Sequence, residues 1–191
     1  WTKNLVLFAG VVFSVHFTDP HELGRAARAF LAFCFLSSAV YTLNDIRDVA
    51  GDRLHPKKRL RPIASGQLPV PAAWGLFAGL LLVAVALTLP LGRPFALTAG
   101  IYLLLNLAYT FGLKRVVLLD VMFIALGFVL RAVAGVEVLS VPEEISPWLL
   151  VCTLFLALFL AVGKRRHERA LLADRAEGHR KTLSEYPPEL V

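Results

Sequence analysis

Residues 44–66 read Asn44-Asp45-Ile46-Arg47-Asp48-Val49-Ala50-Gly51-Asp52-Arg53-Leu54-His55-Pro56-Lys57-Lys58-Arg59-Leu60-Arg61-Pro62-Ile63-Ala64-Ser65-Gly66. Three carboxylates recur here at intervals of three and four residues. If the preceding helix continues past Asn44, then Asp45, Asp48 and Asp52 share one face with it. Like charges held that close oppose each other's ionisation unless a cation sits between them. An all-oxygen set selects a hard divalent ion, Mg²⁺ or alternatively Mn²⁺, and Mg²⁺ in such sites completes its shell with water and substrate phosphates. The cations that follow, Arg53, Lys57, Arg59 and Arg61, suit the free oxygens of a diphosphate, and Pro56, Pro62 and Gly66 stiffen the return. We therefore expect Asp45, Asp48 and Asp52 to be metal-holding catalytic residues, and Asn44, Arg53, Lys57, Arg59 and Arg61 to contact substrate. The competing arrangement is a solvated loop in which the three acids pair with Arg47, Arg53 and Lys57.

The elements that must position this stretch are set by composition. Of 191 residues, 57% are hydrophobic and 18% charged, against about 25% charged in a soluble domain. Six apolar runs with few charges stand out, at about 4–17, 27–43, 69–91, 94–113, 116–136 and 146–163. A spanning segment must satisfy its backbone internally and no alternating strand pattern is present, so these runs predict helices. A soluble two-domain enzyme and a disordered chain are both excluded. The first run looks short. The chain opens at Trp1 without the pattern of a signal peptide and stops within a polar stretch, so we expect a single membrane domain over 1–191 belonging to a longer protein, truncated at both ends.

Charge then orients the spans. Of 20 Lys and Arg, 16 fall at alternate ends: Lys3, six in 44–68, Lys114 with Arg115, and seven from Lys164 to Lys181. Arg25, Arg28 and Arg93 lie at the opposite side, and Arg131 falls inside the fifth run. The positive-inside rule makes 44–68 a cytoplasmic, aspartate-rich loop. A net charge of +6 confined to one membrane side is what an inner-membrane protein shows, and no nucleic acid is implied. Cys34 and Cys152 lie in apolar runs, as small hydrophobes.

Charges inside a bilayer usually face a cavity or a partner. Asp120 and Arg131 are eleven residues apart, about 16 Å along a helix, too far to pair with each other. For Asp120, substrate contact competes with a structural bond to Lys114; Arg131, deeper, suggests structural pairing. Asn106 and Tyr109, three apart, can face one cavity, although an interfacial aromatic also accounts for Tyr109.

The pattern Asn-Asp-x-x-Asp-x-x-x-Asp after a second membrane helix resembles the first aspartate motif of the UbiA superfamily of intramembrane prenyltransferases. Asp52 to Gly66, Tyr109-Thr110-Phe111-Gly112-Leu113-Lys114, Leu119-Asp120, the stretch from Gly127 to Gly135, and Gly163-Lys164-Arg165-Arg166-His167-Glu168 are similar to its decaprenyl-phosphate phosphoribosyltransferase branch. The resemblance implies an all-α polytopic transmembrane bundle of the UbiA type, with six of nine helices in this chain. It also implies Mg²⁺-dependent transfer of a 5-phosphoribosyl group from phosphoribosyl diphosphate to a polyprenyl phosphate, releasing diphosphate. Tyr109, Lys114, Asp120, Lys164 and Arg165 would then contact the donor or the lipid phosphate.

Ordinary members carry a second aspartate motif after the sixth helix, where this chain has Lys164, Arg165, Arg166, His167 and Glu168. A basic cluster there suits a further phosphate, although a headgroup anchor would also account for its charge. The alternative activity, transfer of a prenyl group from its diphosphate to an aromatic or glycerol-phosphate acceptor, requires that second motif. The implied partners are the two substrates and membrane lipids. The implied location is a prokaryotic plasma membrane with cytoplasmic active-site loops, and a homo-oligomer is left open.

Overall fold

The structure is a computed structural model describing residues 1–14, 16–112, 119–140 and 144–172, with side chains to Arg166 at the carboxyl end. It is helical. A 3₁₀ segment, Thr2–Leu7, runs into α1 (Phe8–Phe13); α2 (Pro20–Arg47) and the short α3 (Val49–Leu54) follow, then α4 (Val70–Thr88), α5 (Arg93–Phe111), α6 (Leu119–Glu137) and α7 (Pro147–Leu172).

Among the described residues, five helices are long and apolar enough to cross a membrane, where six were expected. The run expected at 4–17 forms only Thr2–Phe13, which at 3₁₀ and α rises reaches about 21 Å, short of a hydrocarbon core about 30 Å thick. The second run, in contrast, extends well beyond its uncharged residues. Asp19 accepts a hydrogen bond from the His21 amide at 2.8 Å and Pro20 occupies the first turn, a start signal that carries α2 through 28 residues.

The charged residues that this extension takes in are satisfied by neighbouring chain ends. Arg25 donates to the carbonyls of Val138 (2.7 Å) and Leu91 (3.1 Å), and buried Glu22 accepts from both the amide and hydroxyl of Ser140. Those bonds tie the start of α2 to the end of α6 and to the turn between α4 and α5. The core behind them stacks Phe33 on Phe95 and Tyr102, with ring centroids 5.8 and 5.1 Å apart, and includes Leu7, Leu36, Leu91 and Val138. The spans of α2 and α6 are 56% and 50% buried, against 11% for α4 and α7, so α2 and α6 form the centre.

Gly10 and Gly135 let α1 lie directly on α6: a Cβ at Gly135 would overlap the Leu7 carbonyl, and one at Gly10 would overlap the carbonyl of Gly135. Backbone cannot yield as a side chain can. We predict that Gly135→Ala destabilises the bundle by about 1–3 kcal/mol, read as a lower thermal midpoint in detergent; an unchanged midpoint would show that α1 is not packed this way.

Candidate functional site

The aspartate stretch is divided by a helix break. Residue 48 ends α2 at φ −91°, ψ 4° and starts α3, so Asp45 lies in the last turn of one helix and Asp52 within the next. The loop then folds back on an apolar anchor in which Ile63 and Ala73 pack against Ile46, flanked by Val49, Leu68 and Val70. Gly66, at φ +84°, supplies the left-handed turn that closes the return. This anchoring brings Arg61 under the carboxylates.

Arg61 Nη1 donates to Asp45 Oδ1 and to Asp52 Oδ2, each at 2.8 Å. Asp52 is 4% exposed, and Lys58 Nζ stands 4.0 Å from its other oxygen. Of the three acids expected to converge, the structure thus brings two onto one cationic position. Among the described residues, no three His, Cys, Asp or Glu side chains are grouped closely enough to hold an ion by themselves. Among the described residues, Asp45 and Asp52 do pair with loop cations, but these are Arg61 and Lys58 and not Arg47, Arg53 or Lys57.

Those three lie elsewhere. Arg47 sits over the Phe111 ring at 4.3 Å, joining the ends of α2 and α5. Arg53 Nε donates to the Ala64 carbonyl at 3.2 Å, bracing the loop. Lys57 and Arg59 are exposed around a turn in which His55 Nδ1 accepts the Lys57 and Lys58 amides. Arg61, expected on phosphate, instead organises the carboxylates. Asn44 is partly buried in the last turns of α2.

A second cluster joins the three following helices. Asp120, at the start of α6, accepts from the Tyr109 hydroxyl of α5 at 2.6 Å and pairs with Arg165 of α7 at 2.7 Å. Asp120 and Arg165 are 1% and 3% exposed. Sequence reasoning singled out all three residues but not their partnership; Lys114, offered there as the partner of Asp120, lies outside the described residues. Asn106 donates to the Tyr102 carbonyl within its own helix at 2.8 Å and does not join Tyr109. Lys164 precedes the ion-paired arginine on α7.

Arg131, for which structural pairing was expected, centres a third group. Its Nε donates to Asn4 Oδ1, Nη1 to the Gly127 carbonyl and Nη2 to the Tyr102 hydroxyl, each at 2.7 Å. Ser37 Oγ lies 3.2 Å from the same tyrosine oxygen. The only sequence signal for this group is the intramembrane arginine itself; Asn4 and Tyr102 carry none.

Comparison with known proteins adds to this geometry. A profile described as the UbiA prenyltransferase family matches residues 5–184. The chain is 38% identical over 192 aligned residues to a decaprenyl-phosphate phosphoribosyltransferase of Corynebacterium glutamicum, covering 98% of this chain and 57% of that one. It is also 38% identical over 191 residues to a protein of the same name from Mycolicibacterium smegmatis, covering 97% and 59%. Among solved structures, a UbiA homolog from Archaeoglobus fulgidus bound to GPP and Mg²⁺ superposes with TM-score 0.77 at 20% identity, covering 98% of this chain and 65% of that one. That likeness shows the fold. This chain therefore spans less than two thirds of each of these proteins.

Proposed function

Because the chain belongs to the UbiA prenyltransferase family, we propose that the intact protein is a membrane transferase moving a 5-phosphoribosyl group from phosphoribosyl diphosphate to a polyprenyl phosphate. The bond from ribose C1 to the diphosphate breaks, a bond from C1 to a phosphate oxygen of the acceptor forms, and diphosphate leaves. The observation that carries this reading is the basic end of α7. Where a prenyltransferase that ionises an allylic diphosphate is expected to carry a second aspartate cluster, this chain has Lys164 and Arg166 flanking an arginine buried against Asp120. Similarity to two phosphoribosyltransferases over nearly the whole chain supports the same choice.

Asp45 and Asp52, both within 2.8 Å of one guanidinium nitrogen, are an oxygen-only donor pair around a single cationic position. Mg²⁺ is commonly held by one or two carboxylates, with water and phosphate completing the shell, so the pair fits that ion. Asp45 and Asp52 would hold it, with Asp48 and Asn44 beside them. When bound, Mg²⁺ neutralises charge that accumulates on the departing diphosphate.

The chain's own residues supply the rest. Arg61 holds the two carboxylates in register, and Arg53, Lys57 and Arg59 offer cations to diphosphate oxygens. Tyr109 and Arg165, oriented by Asp120, are fixed on helices and not on a loop, which keeps them positioned without ordering costs at binding. The acceptor is already an anion, so no strong base is needed. The polyprenyl tail accounts for a sugar transferase built of membrane helices, with its charged loops on the cytoplasmic side of the plasma membrane.

The experiment is incubation of membranes carrying the full-length protein with labelled phosphoribosyl diphosphate and decaprenyl phosphate. We expect labelled lipid that disappears on chelation and returns with Mg²⁺. Turnover of an allylic diphosphate without labelled lipid would overturn the assignment.

A further inference from the structure

Arg61 does not meet its carboxylates as a bracing arginine commonly does. A guanidinium committed to one carboxylate engages it with two nitrogens in parallel, as a fork. Here a single nitrogen, Nη1, serves Asp45 of α2 and Asp52 of α3 at 2.8 Å each, and among the described residues Nε and Nη2 make no hydrogen bond. That is the placement of a point charge between oxygen donors. Lys58 Nζ stands 4.0 Å from the other oxygen of Asp52. Arg61 and Lys58 thus bring to the two carboxylates the same positive charge as one divalent ion.

The contact can be released without moving the loop. The Arg61 side chain is 40% exposed, against 5% for the Asp52 side chain that it covers. Its backbone is held on both sides, since the Arg61 amide donates to the Lys58 carbonyl at 2.9 Å and the Arg61 carbonyl accepts from the Ser65 amide at 2.8 Å. Only side-chain torsions have to change for the guanidinium to leave, and exposed side chains make such changes quickly. A cationic nitrogen and a metal ion cannot both stand between the same two oxygens, because they would repel at contact distance.

We infer that Arg61 is a built-in stand-in for the divalent ion, which occupies the position between Asp45 and Asp52 when no metal is bound and competes with free metal for both. The inference rests on the reading of Asp45 and Asp52 as the metal-holding pair. An ion arriving alone must displace a guanidinium that gains no new partner. An ion arriving with a diphosphate brings oxygens that can receive the guanidinium, and Nε and Nη2 are available to donate to them. Metal and diphosphate therefore support each other's binding, by the same factor in each direction.

The test is Mn²⁺ titration of the detergent-solubilised full-length protein without substrate, read from the paramagnetic resonance of the free ion. Arg61→Gln should bind Mn²⁺ about tenfold more tightly than wild type, the gain when a site open in about one molecule in ten becomes open in all. Lys58→Gln alters an exposed side chain and should act in the same direction by about threefold. Arg59→Gln removes the same charge from the same loop at an exposed position and should stay within about twofold of wild type. Mn²⁺ supplied as its methylenediphosphonate complex should bind wild type more tightly than free Mn²⁺ does, and Arg61→Gln should lose that advantage. An Arg61→Gln affinity at or below that of wild type, or a gain that Arg59→Gln matches, overturns the inference. If Arg61→Gln melts too low to titrate, unchanged affinity in Lys58→Gln overturns it instead. Asp52→Asn separates the two readings. Mn²⁺ binding lost in Asp52→Asn but unchanged in Arg61→Gln keeps the metal pair and removes the stand-in, whereas binding that Asp52→Asn leaves intact removes the metal pair itself.

Discussion

Asp52→Asn in the intact protein lowers phosphoribosyl transfer by about 10²–10³-fold while the protein still inserts and melts as a bundle. The magnitude is that of removing one group that stabilises developing charge in a closed site. The substitution preserves shape and removes the charge of a carboxylate that is 4% exposed and 2.8 Å from Arg61. Asp45→Asn should do the same, since its oxygen meets the same guanidinium nitrogen at the same distance. Asp48→Ala also removes activity on this reading while the protein still inserts, since Asp48 lies between the other two on the same stretch.

The controlling measurement is transfer rate against Mg²⁺ concentration. A metal-holding role shifts the Mg²⁺ required for half-maximal rate upward in Asp52→Asn. A purely structural salt bridge instead lowers the melting midpoint and leaves the Mg²⁺ dependence as in wild type, and that outcome would remove the metal assignment.

Asp120→Leu has the largest effect expected on stability, about 3–5 kcal/mol, because it takes the carboxylate at 2.7 Å away from the Arg165 guanidinium, whose side chain is 3% exposed. The unfolded reference for two spanning helices is their separation within the bilayer, where a lone charge can reach water or headgroups that the packed bundle denies it. Removing both charges is a different matter, since a buried ion pair replaced by apolar residues of similar volume is often neutral. The double variant Asp120→Leu/Arg165→Leu should therefore recover most of the lost midpoint. Thermal unfolding of the two singles and the double gives the cycle. Additive losses would show that the 2.7 Å contact is not what holds α6 to α7 at this end. Activity should stay low in the double, because Tyr109 then loses the acceptor that fixes its hydroxyl.

Several elements were legible in the sequence because their signals are local. Hydropathy over about 20 residues located the membrane-length helices, and the spacing of acids before a basic, proline-bounded return marked the loop. The same local criteria misjudged two boundaries. Counting only uncharged residues stopped the second span short of Arg25 and Glu22, yet α2 includes both, because carbonyls of Leu91 and Val138 and the polar groups of Ser140 meet them from remote segments. The first apolar run was read as longer than the twelve residues of Thr2–Phe13, since hydropathy does not register where a helix stops.

Partnership was the part that spacing did not yield. Helical periodicity placed three aspartates on one face, but it was the burial of Ile63 against Ile46 that brought Arg61 back to Asp45 and Asp52. Asp120 and Arg131 were visible as intramembrane charges from composition. That Asp120 would meet Arg165, 45 residues on, and that Arg131 would meet Asn4, 127 residues back, depended on how helices pack.

By itself the sequence determined the membrane-spanning helical class, the charge asymmetry and the candidate loop, because hydrophobicity, helical period and charge act over one or two turns. Only the tertiary structure decided which charges neutralise one another and which are held by neutral groups. Direct hydrogen-bonded pairing needs atoms within a few ångströms of each other, and those distances are set by glycine contacts such as Gly10 on Gly135 and by the packing of α2 and α6, not by separation along the chain.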